Sequence, residues 1–192
     1  MRPLLLQAVD DYGYRVFDGG HAYNLNIVGL RSSSRVSGKF DDLISCAYRE
    51  RIGGPWTVKY WEATLDAGAY YLKHPMRSDG TAILKAGQYR SAYKLGIHRG
   101  HPALTQAEPV TVYRDNNRDN LLDRVEGSEV SGKFGINIHK AGKASTQVGK
   151  WSAGCQVFAS EEGLFELLEL CQRQIAEHPS WVARFTYTLI EV

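Results

Sequence analysis

Phe134-Gly135-Ile136-Asn137-Ile138-His139, the polar stretch Lys140–Lys150, then Trp151-Ser152-Ala153-Gly154-Cys155-Gln156-Val157-Phe158 decide how the chain is read. A strand ends at a histidine. A loop of Gly, Lys, Ser and Thr follows. The chain then re-enters an apolar strand directly after a cysteine held in a turn of small residues. A thiol of pKa about 8.5 is only partly ionised at neutral pH, and a neighbouring histidine can take its proton. Ser152-Ala153-Gly154 leaves the sulfur uncrowded. Gly154 allows close backbone approach, and the amides around Gly154-Cys155 are candidate donors to a developing oxyanion.

The rest of the composition fits one folded domain over residues 1–192. Hydrophobic residues make up 43% and charged residues 23%, which excludes disorder, collagen and coiled coil as the main architecture. Lys and Arg number 23 against 21 Asp and Glu, so the net charge is only +2, and there is no basic block. A dedicated nucleic-acid binder is not expected. No apolar run approaches the length of a membrane span. The N-terminal Leu4-Leu5-Leu6 is too short for a signal-peptide core, so synthesis in the cytoplasm is expected. The three cysteines, Cys46, Cys155 and Cys171, are an odd number without a CxxC pair, which fits neither a disulfide framework nor a zinc knuckle.

Nineteen glycines and recurrent short runs of Tyr, Trp, Val, Ile and Thr predict strands joined by turns. Residues 14–17 and 23–30 read as two strands around Asp18-Gly19-Gly20. Residues 31–39 read as a loop. Leu43–Arg49 and Trp56–Thr64 read as a hairpin around Ile52-Gly53-Gly54-Pro55. Further strands are expected at Thr81–Leu84, Tyr89–Leu95, Val110–Tyr113, Phe134–His139 and 182–190. One helix stands out, over 160–177. Ser160 can cap it, Glu161 and Glu162 suit its positive end, and Leu164, Leu167, Leu168, Cys171 and Ile175 share one face. Cys171 therefore reads as core, and Cys46 as a strand residue.

Ile138-His139, a spacer of 12 residues, then Ser152-x-Gly154-Cys155 resemble the active-site signature of the L,D-transpeptidase (YkuD-type) catalytic domain family. The likeness extends through Gly135-Ile136 and Val148-Gly149-Lys150, and covers about 25 residues. Upstream, Asp79-Gly80-Thr81-Ala82-Ile83 corresponds more weakly to a family strand, and nothing before residue 75 corresponds. The resemblance implies a β-rich α+β fold, a mixed sheet or sandwich with one main C-terminal helix. It makes 76–192 the catalytic portion and leaves 1–75 a β-rich portion without a role. It implies Cys155 as nucleophile, His139 as general base, Ser152 lining the site near the histidine, and the backbone at Gly154-Cys155 as oxyanion hole. The substrate implied is the peptidoglycan stem peptide, with no cofactor required. The lack of a leader favours a lytic enzyme of the endolysin or effector kind, reaching the wall after release or by specialised export. Two positions depart from the family pattern. Ala153 stands where a His is common. Val157 stands where an Arg associated with substrate carboxylate binding is common. Gln156, Arg99 and Arg90 are candidate substitutes for that Arg, and Trp151 is a further candidate substrate contact. The alternative is a non-catalytic wall-binding or phage structural protein with a degenerate site of this kind.

Two other features carry their own readings. Asp115, Asn117, Asp119, Asp123 and Glu126 fall at positions 1, 3, 5, 9 and 12 of an EF-hand-type calcium loop, with Asn120 in place of the usual Gly. A solvated polar turn is the simpler reading, and a structural calcium site the sharper one. His98 and His101 form an H-x-x-H pair without a third ligand nearby, and read as a surface loop. The aromatics Trp56, Tyr60, Trp61, Tyr70 and Tyr71 read as core residues, with a sugar groove as the alternative.

Overall fold

Asp42–Arg49 and Trp56–Thr64 form the expected hairpin, β2 and β3, paired antiparallel from Asp42↔Ala63 to Arg49↔Trp56. Its turn contains Gly53 at φ +70°, a conformation that favours glycine. The computed structural model describes residues 1–143 and 145–192. Ala144, inside the expected Lys140–Lys150 loop, lies outside the described residues. The hairpin is part of a closed eight-stranded barrel. Its other strands are β1 (Asn26–Arg31), β5 (Gly87–His98), β6 (His101–Gln106), β9 (Ile138–Lys140), β10 (Gln156–Phe158) and β11 (Phe185–Glu191), in the spatial order β1-β11-β5-β6-β9-β10-β3-β2. The pairs β1·β11 and β9·β10 are parallel and the others antiparallel, so the fold is β-rich and mixed. The expected mixed sheet is closed into a barrel; it is not a sandwich. Strands β4 (Thr81–Leu84), β7 (Val110–Asp115) and β8 (Val130–Gly132) form a separate three-stranded sheet.

Helix α3 (Glu161–Glu177) starts where Ser160 Oγ accepts the Gly163 N–H at 3.0 Å. Its Leu164, Leu167, Leu168 and Cys171 bury in the same core as Ile27, Ile44, Cys46 and Tyr93 of the strands. Two shorter helices, α1 (Leu4–Asp11) and α2 (Ala69–Lys73), were not expected. Leu5, Leu6 and Val9 of α1 cover Val28, Ala47 and Ile190, on the opposite faces of β1, β2 and β11. The N-terminal leucines are therefore packing residues. Residues 14–17 do not form the predicted strand. The Asn26 side chain takes both Phe17 backbone groups, its Oδ1 accepting from Phe17 N at 2.8 Å and its Nδ2 donating to Phe17 O at 3.1 Å. That satisfies the backbone without a ladder. His98 and His101 face each other across a β5–β6 hairpin, with Arg99 at φ +48° and Gly100 at φ +84° in its two-residue turn. The expected surface loop there is thus a strand connection. Residues 1–75 supply β1, β2 and β3 of the barrel itself.

Arg31, at the end of β1, is fully buried. It ion-pairs with Glu191 of β11, lies 3.5 Å from Asp66, and donates to the Leu84 carbonyl at 2.6 Å. Arg124 reaches the other Asp66 oxygen at 3.2 Å. One guanidinium thus ties the barrel to the second sheet through β4. Removing one member of a buried ion cluster leaves the others unpaired, which costs about 3 kcal/mol. Arg31→Met is expected to lower stability by about that amount in denaturant unfolding, and an unchanged midpoint would show that Arg31 does not hold the two sheets together.

Candidate active site

Side-chain alternation on the parallel pair β9·β10 sets the geometry. Gln156 pairs with Ile138, and Val157 with His139. Ile138 and Phe158 belong to the barrel core, so Asn137, His139, Cys155 and Val157 project to the other side. Cys155 lies two residues before the partner of His139, a diagonal neighbour on the same face. The turn in front of it is fastened by Ser152. Its Oγ donates to the Cys155 carbonyl at 2.8 Å and accepts the Gly154 N–H at 3.1 Å. Gly154 sits at φ +118°, and a Cβ there would come within 2.4 Å of the Ala82 carbonyl of β4. The close approach at Gly154 is therefore to β4, where the sequence reading had reserved it for substrate.

His139 is buried, and its Nδ1–H donates to the Lys140 carbonyl at 2.9 Å. That fixes the tautomer and leaves Nε2 as an acceptor. Nε2 is buried and has no hydrogen-bond partner among the described residues. Burial, opposed by the Lys140 carbonyl and reinforced by His98 and Arg99, holds the ring's pKa down at about 4, so it is neutral at pH 7. The His98 ring stacks on His139, centroids 4.3 Å apart and planes 18° apart. Asn137 orients His98: its Oδ1 accepts the Gln106 N–H, so its Nδ2 donates to His98 Nδ1 at 2.9 Å. Burial pushes the Cys155 thiol up. The Asn137 backbone N–H and the Arg99 charge pull it down. The sulfur donates to the Gly135 carbonyl at 3.4 Å and makes no hydrogen bond with His139.

Cys155 borders a cavity of about 290 Å³, whose cationic lining comprises Arg77, Arg99, Arg114 and Lys150 without a lining Asp or Glu. His139 borders a second cavity of about 90 Å³, and His98, Arg99 and Trp151 line both. The Arg114 side chain is 8% exposed. Its Nη1 donates to Gly80 O at 3.3 Å, and the guanidinium lies 4.6 Å from the Phe134 ring centre. Its Nε and Nη2 are buried without hydrogen-bond partners among the described residues, though Asp79 lies 3.6 Å from Nε.

The expected site residues separate into two groups. Cys155, His139, Arg99 and Trp151 come together around the cavities. Gln156 does not: it is fully buried in the barrel, its Nε2 donating to the Leu65 and Gly154 carbonyls and its Oε1 accepting from Tyr187 at 3.0 Å. Arg90 is exposed on β5 and lines neither cavity. Ser152 is buried behind the turn and positions it, where a place lining the site was expected. The Gly154 N–H is spent on Ser152, which leaves the Cys155 N–H as the amide available to an oxyanion. Sequence reasoning missed Arg114, Arg77, Lys150, His98 and Asn137 as site residues. Arg114 lies in an ordinary strand run, Val110-Thr-Val-Tyr-Arg-Asp115, with no local signal of function.

Among the described residues no three His, Cys, Asp or Glu side chains are grouped closely enough to hold a metal by themselves, and no helix is long and apolar enough to cross a membrane. No protein-family model, curated protein or solved structure matches the chain.

Cys46 and Cys171 are fully buried in the core, and burial pushes both thiols up. Iodoacetamide at neutral pH is expected to modify Cys155 first, with Cys46 and Cys171 reacting only on unfolding. Equal modification of all three in the folded protein, read by peptide mass mapping, would contradict this cavity geometry.

Proposed function

We propose that the chain is a cysteine-dependent enzyme of the L,D-transpeptidase kind, which cleaves or transfers peptide bonds of peptidoglycan stem peptides through an acyl-enzyme at Cys155. The observation that carries the reading is a neutral imidazole whose buried Nε2 has no hydrogen-bond partner among the described residues, on the same face as a cysteine that opens into a cation-lined cavity. Chemistry starts with rotation of the Cys155 thiol from the Gly135 carbonyl towards His139. Catalytic hydrogen bonds commonly tighten only in the substrate complex. Nε2 takes the thiol proton as sulfur attacks the amide carbonyl. The Cys155 N–H and the Arg99 charge stabilise the oxyanion. The imidazolium then protonates the leaving amine, and the C–N bond breaks. Water or a second amine, deprotonated by Nε2, attacks the thioester and releases Cys155. Arg114, whose Nε and Nη2 make no hydrogen bond among the described residues, takes the substrate carboxylate. It stands in for the arginine that Val157 replaces.

A second reading keeps the cavity and drops the chemistry: a wall-binding protein in which the Cys155 thiol keeps its proton and goes on donating it to the Gly135 carbonyl. The separation of sulfur and imidazole into two cavities favours it.

Purified sacculi separate the two. The wild type is expected to change the muropeptide pattern, and Cys155→Ala and His139→Asn to lose at least about a hundredfold of that rate while remaining folded. Binding without any change in muropeptides would select the second reading. A neutral base is required, and His139 stays neutral down to about pH 4. The acid limb of kcat/KM is therefore expected below the pH 6–7 of an ordinary histidine. A limb at pH 6.5 would assign the base elsewhere.

A further inference from the structure

The segment Asp115–Asp123 leaves β7 next to Arg114, on the far side of the cavity wall. We propose that it is a calcium site, with Asp115, Asn117, Asp119 and Asp123 as side-chain ligands and the Leu121 carbonyl as the main-chain ligand. The observation that points to a cation is Asp115. The residue is 2% exposed, and its Oδ1 is buried with no hydrogen-bond partner among the described residues. A buried, unpaired carboxylate oxygen is costly unless something positive meets it. The partner oxygen, Oδ2, accepts the Asp123 N–H at 3.0 Å, so the carboxylate is turned into the loop.

The neighbours converge on the same place. Asn117 Nδ2 donates to Asp119 Oδ2 at 3.1 Å and also to Asp123 Oδ2. Two carboxylates, Asp119 and Asp123, therefore flank a single amide. The cation they meet among the described residues is Arg35, ion-paired with Asp123. Arg118 and Asn120, the fourth and sixth positions, adopt φ +64° and +80°, so the chain curls around this point. Calcium suits the set because it takes oxygen ligands in irregular number, an amide and a main-chain carbonyl included. The three carboxylates are not gathered closely enough to hold a metal by themselves, so the Asn117 and Leu121 oxygens are needed to complete the set. Glu126, the twelfth position, is not part of it: it is exposed, and its charge acts on Lys85. The proposed ligand set therefore leaves Glu126 out.

The site makes no demand on the chemistry at Cys155, and its test is separate from activity. EDTA-treated full-length protein is titrated with calcium chloride by calorimetry, with magnesium as the control. Binding at one site is expected, with affinity in the roughly micromolar to millimolar range, and a rise in Tm of at least about 3 °C at saturation. Asp119→Ala, an exposed position, is expected to weaken binding at least about tenfold without changing the Tm in EDTA. Glu126→Ala is expected to bind like the wild type. No heat and no Tm shift at about 10 mM calcium would overturn the proposal. So would binding that survives Asp119→Ala unchanged, because the ion would then lie elsewhere.

Discussion

Three residues of parallel pairing, Gln156–Phe158 against Ile138–Lys140, hold the site and close the barrel. β9 meets β6 through Leu104↔Ile138, and β10 meets β3 through Val157↔Thr64 and Phe158↔Ala63. A one-residue slip in this register would turn Ile138 and Phe158 out of the core and send His139 and Cys155 into it. The apolar alternation therefore enforces the placement of His139 and Cys155. Parallel neighbours also cannot be joined by a tight turn. The crossover from Lys140 to Cys155 must be long, and it carries Lys150 and Trp151 to the cavity on its way back. The crossover, the turn at Gly154 and the delivery of Lys150 to the cavity all follow from one pairing.

Charge is concentrated where the whole molecule has little. A net charge of +2 gives weak attraction to an anionic polymer, yet four cationic side chains line one cavity. Burial lowers Arg114, with Asp79 opposing, so its charge is held at a cost that a bound carboxylate would offset. The same burial keeps both members of the Cys155–His139 pair neutral at rest. In the proposed reaction, proton transfer would then be coupled to substrate arrival, when water leaves and an oxyanion forms beside Arg99.

Much of this frame is legible in the sequence, and for definite reasons. The β2–β3 hairpin, α3 with its Ser160 cap, and the strand directly after Cys155 announce themselves by local pattern: alternation, capping and a small-residue turn. What escapes is set by distant partners. Residues 14–17 have strand composition, but side chains take the place of a ladder: Asn26 bonds the Phe17 backbone and Gln88 the Arg15 backbone. The leucines of α1 form too short a helix to show a period, and they become helical by packing on β1 and β11. Gln156 reads as a site residue because it adjoins Cys155, yet strand alternation turns it to Leu65 and Tyr187. Arg114 is the reverse case: forty-one positions from Cys155, it reaches the cavity only because β7 belongs to the second sheet.

Covalent capture tests the central claim most directly. The protein is mixed with stem-peptide fragments at neutral pH, quenched in acid within the first turnovers, and its intact mass measured. The account predicts a population heavier by the acyl part of the peptide, with the added mass on Cys155 by fragment mapping and absent from Cys155→Ala. Turnover without any adduct on Cys155, or turnover that persists in Cys155→Ala, would contradict it.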